Sequence, residues 1–303
     1  MSKVNVSKII SDMQKLYAKD KKVQSIICTG DKVKTNYTAD DVVPLPGSHP
    51  LSSLLGLPGL PFNKIVQVVG RPDSGKSTWA AEAAVAAQKA GIQVIYTDSE
   101  DKYDGARFKA MGGDPETVLM IKSNEILKAG ELARKYIMAV KEQDKDAKIL
   151  WIVDSVGASQ SRSHAERELD SERHQQPGQD AKENSSLMKM TVALMNKYPD
   201  SISVYLVNQS YAKIGFMMKG DAAAGGTKIE YHSSFIVMLK RLKTLTKTVK
   251  GVVVKTGIVS RATVTKNHLS QGQNSVHKLD FVVMSNGSGL LEGEVESNED
   301  GDE

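Results

Sequence analysis

A chain of 303 residues with 40% apolar content is long enough to bury the core of one large α/β domain with extensions. Its mean hydropathy of −0.32, with no run of about 18 apolar residues, excludes a membrane-spanning helix. The formal charge of +4 is unevenly spread: residues 292–303 hold seven acids and no base, which leaves forty bases against twenty-nine acids, or +11, in the first 291 residues.

A basic body with an acidic tail points to a polyanionic partner. The one cysteine, Cys28, excludes an internal disulfide and a cysteine-rich zinc site. The N-terminal "MSKVNVSKIISDMQK" mixes charges into its apolar positions and has no signal-peptide core, so a cytoplasmic location is expected.

Val6, Ile9, Ile10, Met13, Leu16 and Tyr17 recur at spacings of three and four, which predicts an amphipathic helix over 5–19. "VQSIIC" (23–28) reads as a short strand, and the polar segment after it ends at Pro44, Pro46 and Gly47. Residues 1–45 therefore read as a helix–strand unit that cannot bury its own apolar faces and must dock on something. The body, 46–290, alternates β-branched runs at 65–69, 92–97, 118–121, 149–153, 203–207 and 235–239 with helical patterns at 76–90, 124–142 and 180–197. Continuous apolar runs separated by helices predict an α/β fold whose strands form a largely parallel sheet covered on both faces. "VVVKTGIVSRATVTKN" and "KLDFVVM" read as hairpin strands extending that sheet, and 291–303 reads as an acidic disordered tail.

Two stretches fit no element. One is the polar segment from Asp154 to about Asp180. The other is "VNQSYAKIGFMMKGDAAAGGTK" (207–228), which sets an apolar run in a flexible, basic context. Long loops of this kind inside a domain are usually functional or disordered. His164 and His174 lie in the first and read as solvated loop residues, whereas Met188, Met190 and Met195 on the 180–197 helix read as core.

"GRPDSGKST", Gly70 to Thr78 (Gly70, Arg71, Pro72, Asp73, Ser74, Gly75, Lys76, Ser77, Thr78), matches G-x-x-x-x-G-K-[ST] between a strand and an alanine-rich helix. There the backbone N–H groups and the helix N-terminus face phosphate oxygens, Lys76 reaches the β/γ-phosphates, and Ser77 offers a hydroxyl to Mg²⁺. ATP with Mg²⁺ is the expected ligand. Asp154, directly after "ILWIV", fits the acid of a Walker B strand and the metal's second protein ligand. For a water-activating acid the strand end "IQVIYTDSE" offers Asp98 and Glu100, which spacing does not separate. Gln209, past the 203–207 strand, stands where a neutral side chain could sense the γ-phosphate.

Together these residues resemble the bacterial and phage RecA/UvsX recombinase family, from about Met13 to Leu290. The carriers are "MQKLYAKDKKVQSIICTGDK", "LSSLLGLPGLPFNKIVQVVGRPDSGKST", "VIYTDSE", "LWIVDSVGA", "LVNQSYAKIGFMM" and "GGTKIEYHSS", in the family's order and approximate spacing. The resemblance implies a RecA-type P-loop ATPase core with an N-terminal polymerisation segment, forming a homofilament on single-stranded DNA with ATP at the subunit interface. It further implies pairing with homologous duplex DNA, and possible mediator and single-strand-binding proteins as partners. It makes Glu100 the water-activating acid and Gln209 the switch between nucleotide and DNA. Asp104 would sit near the adenine amino group, and Arg107 stands where the family stacks a tyrosine. Residues 157–180, with Arg162, Arg167 and Arg173, would be a first DNA-binding loop. Residues 210–228 would be a second, with Lys213, Ile214, Gly215, Phe216, Met217, Met218, Lys219, Gly225, Gly226, Thr227 and Lys228. Lys266 and His268 occupy the family's Lys-x-Lys pair that reaches across the subunit boundary, and Glu230 an interface position usually filled by lysine. The folded C-terminal domain of the bacterial family has no counterpart before the acidic tail. Two other readings use the same core: a mediator or helicase-type motor without strand exchange, and a nucleotide-gated DNA-binding scaffold.

Overall fold

In the computed structural model the described residues are 5–18, 36–157, 179–212, 221–224, 227–269, 275–284 and 287–290. The chain divides into two units, Met1–Tyr37 and Thr38–Glu303. In the first, helix α1 (Val6–Leu16) is capped by the Asn5 side chain, which accepts from Lys8 N at 3.0 Å. Its apolar stripe, Val6, Ile9, Met13 and Leu16, is exposed. The strand expected over 23–28 lies outside the described residues.

The second unit contains β1 (Val42–Pro44), α2 (Pro50–Leu55), β2 (Gly59–Pro61), β3 (Ile65–Gly70), α3 (Lys76–Lys89), β4 (Gln93–Asp98), α4 (Gly105–Ala110), β5 (Val118–Lys122), α5 (Ile126–Gln143), β6 (Ile149–Asp154) and α6 (Gln179–Lys197). It continues with β7 (Ile202–Ala212), β8 (Asp221–Ala223), α7 (Thr227–His232), β9 (Phe235–Val249), β10 (Val252–Asn267), β11 (Lys278–Met284) and β12 (Gly287–Leu290). Strands β1 and β2 pair antiparallel, so 42–44 belong to this unit and not to the N-terminal segment that the prolines suggest.

Among the described residues the main sheet runs β12-β11-β10-β9-β3-β7-β6-β4-β5, with β8 paired to β7. From β9 to β5 every neighbouring pair is parallel, whereas β9 to β12 form an antiparallel meander. Each central strand splits its side chains between two cores, as the pleat requires. Val66, Val68, Val94, Tyr96, Leu150, Ile152 and Tyr205 face α2 and the alanine-rich face of α3. Ile65, Ile95, Trp151, Val153, Val204 and Leu206 face α5 and α6, where Met188 and Met195 are buried and Met190 packs alongside, as the sequence suggests. Burying each large aliphatic or aromatic side chain stabilises the fold by about 1.5–3 kcal/mol. A sheet covered on both faces leaves the carboxyl ends of its parallel strands as the natural crevice.

Two elements depart from the sequence reading. Strand β9 continues to Val249 instead of stopping near 239, and with β10 it forms a ribbon whose outer half is exposed. Strand β7 runs on to Ala212 and pairs with β8, Ser210 opposite Ala223, so the ends of the stretch expected as a loose loop are a hairpin.

Candidate functional site

The phosphate loop leaves β3 at Gly70, where a Cβ would lie 2.6 Å from Leu239 O and from Ser74 Oγ, too close for any other residue. It enters α3 through Gly75, whose φ of 100° favours glycine and whose ideal Cβ would meet Val283 at 2.9 Å. Asp73 at the crest also has positive φ, 58°, and lies 3.4 Å from Arg241 Nη1 and 3.7 Å from Lys255 Nζ. Ser74 Oγ donates to Arg71 O at 2.9 Å, and the Lys76 ammonium donates to the same carbonyl at 2.8 Å. Lys76 is buried, and burial lowers its pKa against the opposing pull of Asp154 and Glu100. A cationic group desolvated at the first residue of a helix is well prepared for a phosphate.

Sheet register brings the acids to this loop. Asp98 and Asp154 end neighbouring strands side by side, and Gln209 on β7 stands opposite Gly70 on β3. Asp154 Oδ2 accepts from Tyr96 Oη at 2.8 Å, and its carboxyl is hydrogen-bonded by the Ser77 side chain. Burial raises the Asp154 pKa, the charges of Glu100 and Asp98 raise it further, and the Ser77 and Tyr96 hydrogen bonds offset only part of this. A bound cation would reverse that balance. A hydroxyl and a carboxylate side by side suit Mg²⁺, which takes one or two protein oxygens and completes its shell with phosphate and water.

The two acids that spacing leaves equivalent have different surroundings. Asp98 spends both oxygens on backbone N–H groups, Glu100 N at 3.1 Å and Tyr103 N at 2.8 Å, and so shapes the loop. Glu100 faces side chains: Oε1 accepts from Ser155 Oγ at 2.7 Å and Gln209 Nε2 at 3.0 Å, and Oε2 pairs with Lys102. Burial alone would raise its pKa, but the bonds from Lys102, Ser155 and Gln209 outweigh it and hold the carboxyl below the usual range. The Asp154–Ser155 peptide that presents the Ser155 hydroxyl is cis.

These groups line a cavity of about 240 Å³ that includes Lys76, Ser77, Glu100, Asp154, Ser155 and Gln209. A second space of about 640 Å³ shares Asp73, Thr78, Asp104 and Arg107 with it and is closed by Ile258, Val283 and Met284. Between the two, Arg107 Nη2 donates to Thr78 Oγ1 at 2.9 Å and to Met284 O at 3.5 Å, while its Nε is buried without a protein acceptor. Asp104 caps α4, Oδ1 accepting from Arg107 N at 2.9 Å. A phosphate cradle opening onto a larger space, with the Arg107 Nε unpaired between them, fits a nucleoside triphosphate. Met284, Val283 and Ile258 on this wall escape the sequence reading, because only the antiparallel register of β10 and β11 carries them there.

Residues 5–287 match the family model described as the RecA N-terminal domain. The chain belongs to the RecA family. Similar curated proteins named Protein RecA include that of Mycobacteroides abscessus, 32% identical over 248 residues, 81% of this chain and 66% of that one. That of Saccharopolyspora erythraea is 30% identical over 238 residues, covering 78% and 63%. That of Mycobacterium avium is 29% identical over 263 residues, covering 86% and 68%. The chain spans about half to two thirds of the length of the curated relatives it matches.

Other positions singled out by the RecA resemblance lie elsewhere. Lys266 lines neither cavity; its ammonium donates to Glu230 O at 2.9 Å and Tyr231 O at 3.1 Å, near the end of α7. Thr227 and Lys228 open α7 and are not loop residues, and Lys228 Nζ lies 5.8 Å from the Tyr231 ring centroid. Arg162, Arg167, Arg173, His164, His174, Lys213, Ile214, Gly215, Phe216, Met217, Met218, Lys219, Gly225 and Gly226 fall outside the described residues. Among the described residues no helix is long and apolar enough to cross a membrane.

Proposed function

We propose that this RecA-family chain is an ATP-dependent DNA recombinase. It forms a filament on single-stranded DNA, pairs it with homologous duplex DNA, and hydrolyses ATP to ADP and phosphate. The observation that carries this reading is the double attachment of Gln209. Its side-chain amide donates to Glu100 inside the cavity, and its backbone carbonyl accepts from Ala224 N at 2.9 Å at the foot of the β7–β8 hairpin. Asn208 reinforces the foot through Ala224 O at 2.8 Å. A change at the Glu100 end of the side chain therefore reaches the foot of the β7–β8 hairpin through one residue of strand, as a nucleotide switch requires.

In this reading the Gly70–Thr78 backbone and Lys76 hold the phosphates, and Ser77 and Asp154 hold Mg²⁺. The metal, when bound, neutralises charge developing on the phosphate oxygens. Glu100, ionised at neutral pH, orients a water and takes its proton as the water oxygen bonds to the γ-phosphorus and the β,γ-bridging bond breaks. Arg107 and Asp104 face the base. The segments 157–180 and 210–228 contact DNA phosphates through their arginines and lysines, with Phe216, Met217 and Met218 against bases. Lys266, outside the cavity of its own chain, acts on the nucleotide of a neighbouring copy. The exposed stripe of α1 supplies the filament contact, and the site of action is the cytoplasm.

Gln209→Ala tests the switch. ATP affinity should stay within about threefold, while the preference of single-stranded DNA binding for an ATP analogue over ADP disappears. DNA binding that keeps its nucleotide dependence in the variant would contradict this role.

A further inference from the structure

Away from the phosphates, α3 carries a partly buried carboxylate that the reaction does not use. Glu82 accepts from the backbone N–H of Ser288, and its Oε2 accepts from Ser288 Oγ at 2.5 Å. Its Oε2 also lies 3.2 Å from Nε2 of His49, a residue 3% exposed. His49 caps α2, its Nδ1 accepting from Leu51 N at 3.1 Å, which leaves Nε2 as the ring nitrogen beside Glu82. One carboxylate thus ties the phosphate-loop helix, which carries it, to two segments distant in sequence: the lead-in before α2 and the C-terminal strand β12. Burial would raise the Glu82 pKa, yet the contacts with His49 and Ser288 bring it below the usual range, as expected of an anion held by several donors.

What Glu82 holds is the far wall of the nucleotide cavity. Strand β12 pairs with the end of β11, Ser288 opposite Val283 and Gly287 opposite Met284. Met284 lines the larger space and its carbonyl receives Arg107, while Val283 would touch a Cβ on Gly75. Trp79, one turn before Glu82, packs between His49 and Phe281 in tilted contacts at ring separations of 5.5 and 4.6 Å.

We infer that Glu82 is a positioning residue for the nucleoside half of the nucleotide: by clasping Ser288 it fixes the Val283–Met284 wall, and through it Arg107, against the phosphate loop. This rests on the ATP reading above. It separates two parts of recognition, the phosphates by the loop itself and the base and ribose by a wall fastened from behind.

The test compares ATP with inorganic tripolyphosphate, which offers phosphates without a nucleoside, on the full chain. Glu82→Gln keeps shape but has one oxygen for the two Ser288 donors and loses the charge that faces His49. ATP should bind about tenfold more weakly, the worth of one charge-assisted hydrogen bond, with tripolyphosphate unchanged. If both affinities fall together, or neither falls, the inference is overturned. A loss of stability alone would lower the melting temperature without altering the ratio of the two affinities. Should Glu82→Gln fail to fold, Ser288→Ala removes one of the same donors at a strand edge, and the same selective loss of ATP is expected, an unchanged ratio again overturning the inference. If the unmodified chain binds tripolyphosphate but not ATP, the ATP reading fails first and takes this inference with it.

Discussion

Glu100→Gln should slow ATP turnover by about a hundred- to ten-thousandfold, the range for loss of a general base, while leaving ATP affinity nearly intact. The substitution preserves size and can still accept from Ser155, but it removes the carboxylate that Ser155, Gln209 and Lys102 hold at the cavity. Asp98 cannot take over, because both of its oxygens are engaged by the N–H groups of Glu100 and Tyr103. Asp154 is held by Ser77 and Tyr96. Since the Glu100 pKa is depressed, its base form persists as pH falls below the ordinary glutamate range, and the acid limb of the wild-type rate profile should appear there. Stopped-flow release of phosphate at saturating ATP checks both points. Turnover within threefold of wild type, on the order of noise for such a comparison, would remove Glu100 from the chemistry.

Lys76→Ala should abolish useful ATP binding, a loss of about 3 kcal/mol or more, or over a hundredfold in affinity, for removing one partner of a buried charge cluster. The lysine is buried and close enough to Asp154 and Glu100 for both to support its charge. Without it a triphosphate would enter a cavity whose remaining fixed charges include Asp98, Glu100 and Asp154, with only Lys102 and Arg107 opposing them. Removing the ammonium also leaves the Arg71 carbonyl without one of its two side-chain donors, a smaller structural cost. Titration with a fluorescent ATP analogue, alongside thermal unfolding, separates the effects: affinity should collapse while the melting temperature changes little.

How far the sequence foretells these groups follows from where the information lies. The parallel strands are legible because both faces are buried, so their apolar runs are uninterrupted, and the phosphate loop is legible because its geometry demands glycines at fixed offsets. The outer half of β9 and β10 is not. From Lys240 to Lys255 the ribbon buries neither face, so no hydrophobic period marks it. Helices α2 and α4, of six residues each, are too short for a periodic stripe and are set by their caps, His49 and Asp104. Residues 210–212 look unstructured because their pairing partner lies beyond a glycine-interrupted apolar stretch. The choice between Asp98 and Glu100 is invisible to spacing and falls out only once backbone donors claim the former. Glu82, His49 and Ser288 are the extreme case, since only the folded sheet brings together residues from opposite ends of the chain.

In the function proposed above, ATP drives assembly of this chain on single-stranded DNA. Electron microscopy of the full chain with single-stranded DNA and a non-hydrolysable ATP analogue tests it most directly. Helical filaments are expected that require both the analogue and the DNA and that disperse with ADP. Closed rings without filaments, or bare DNA under conditions where the nucleotide is bound, would contradict it.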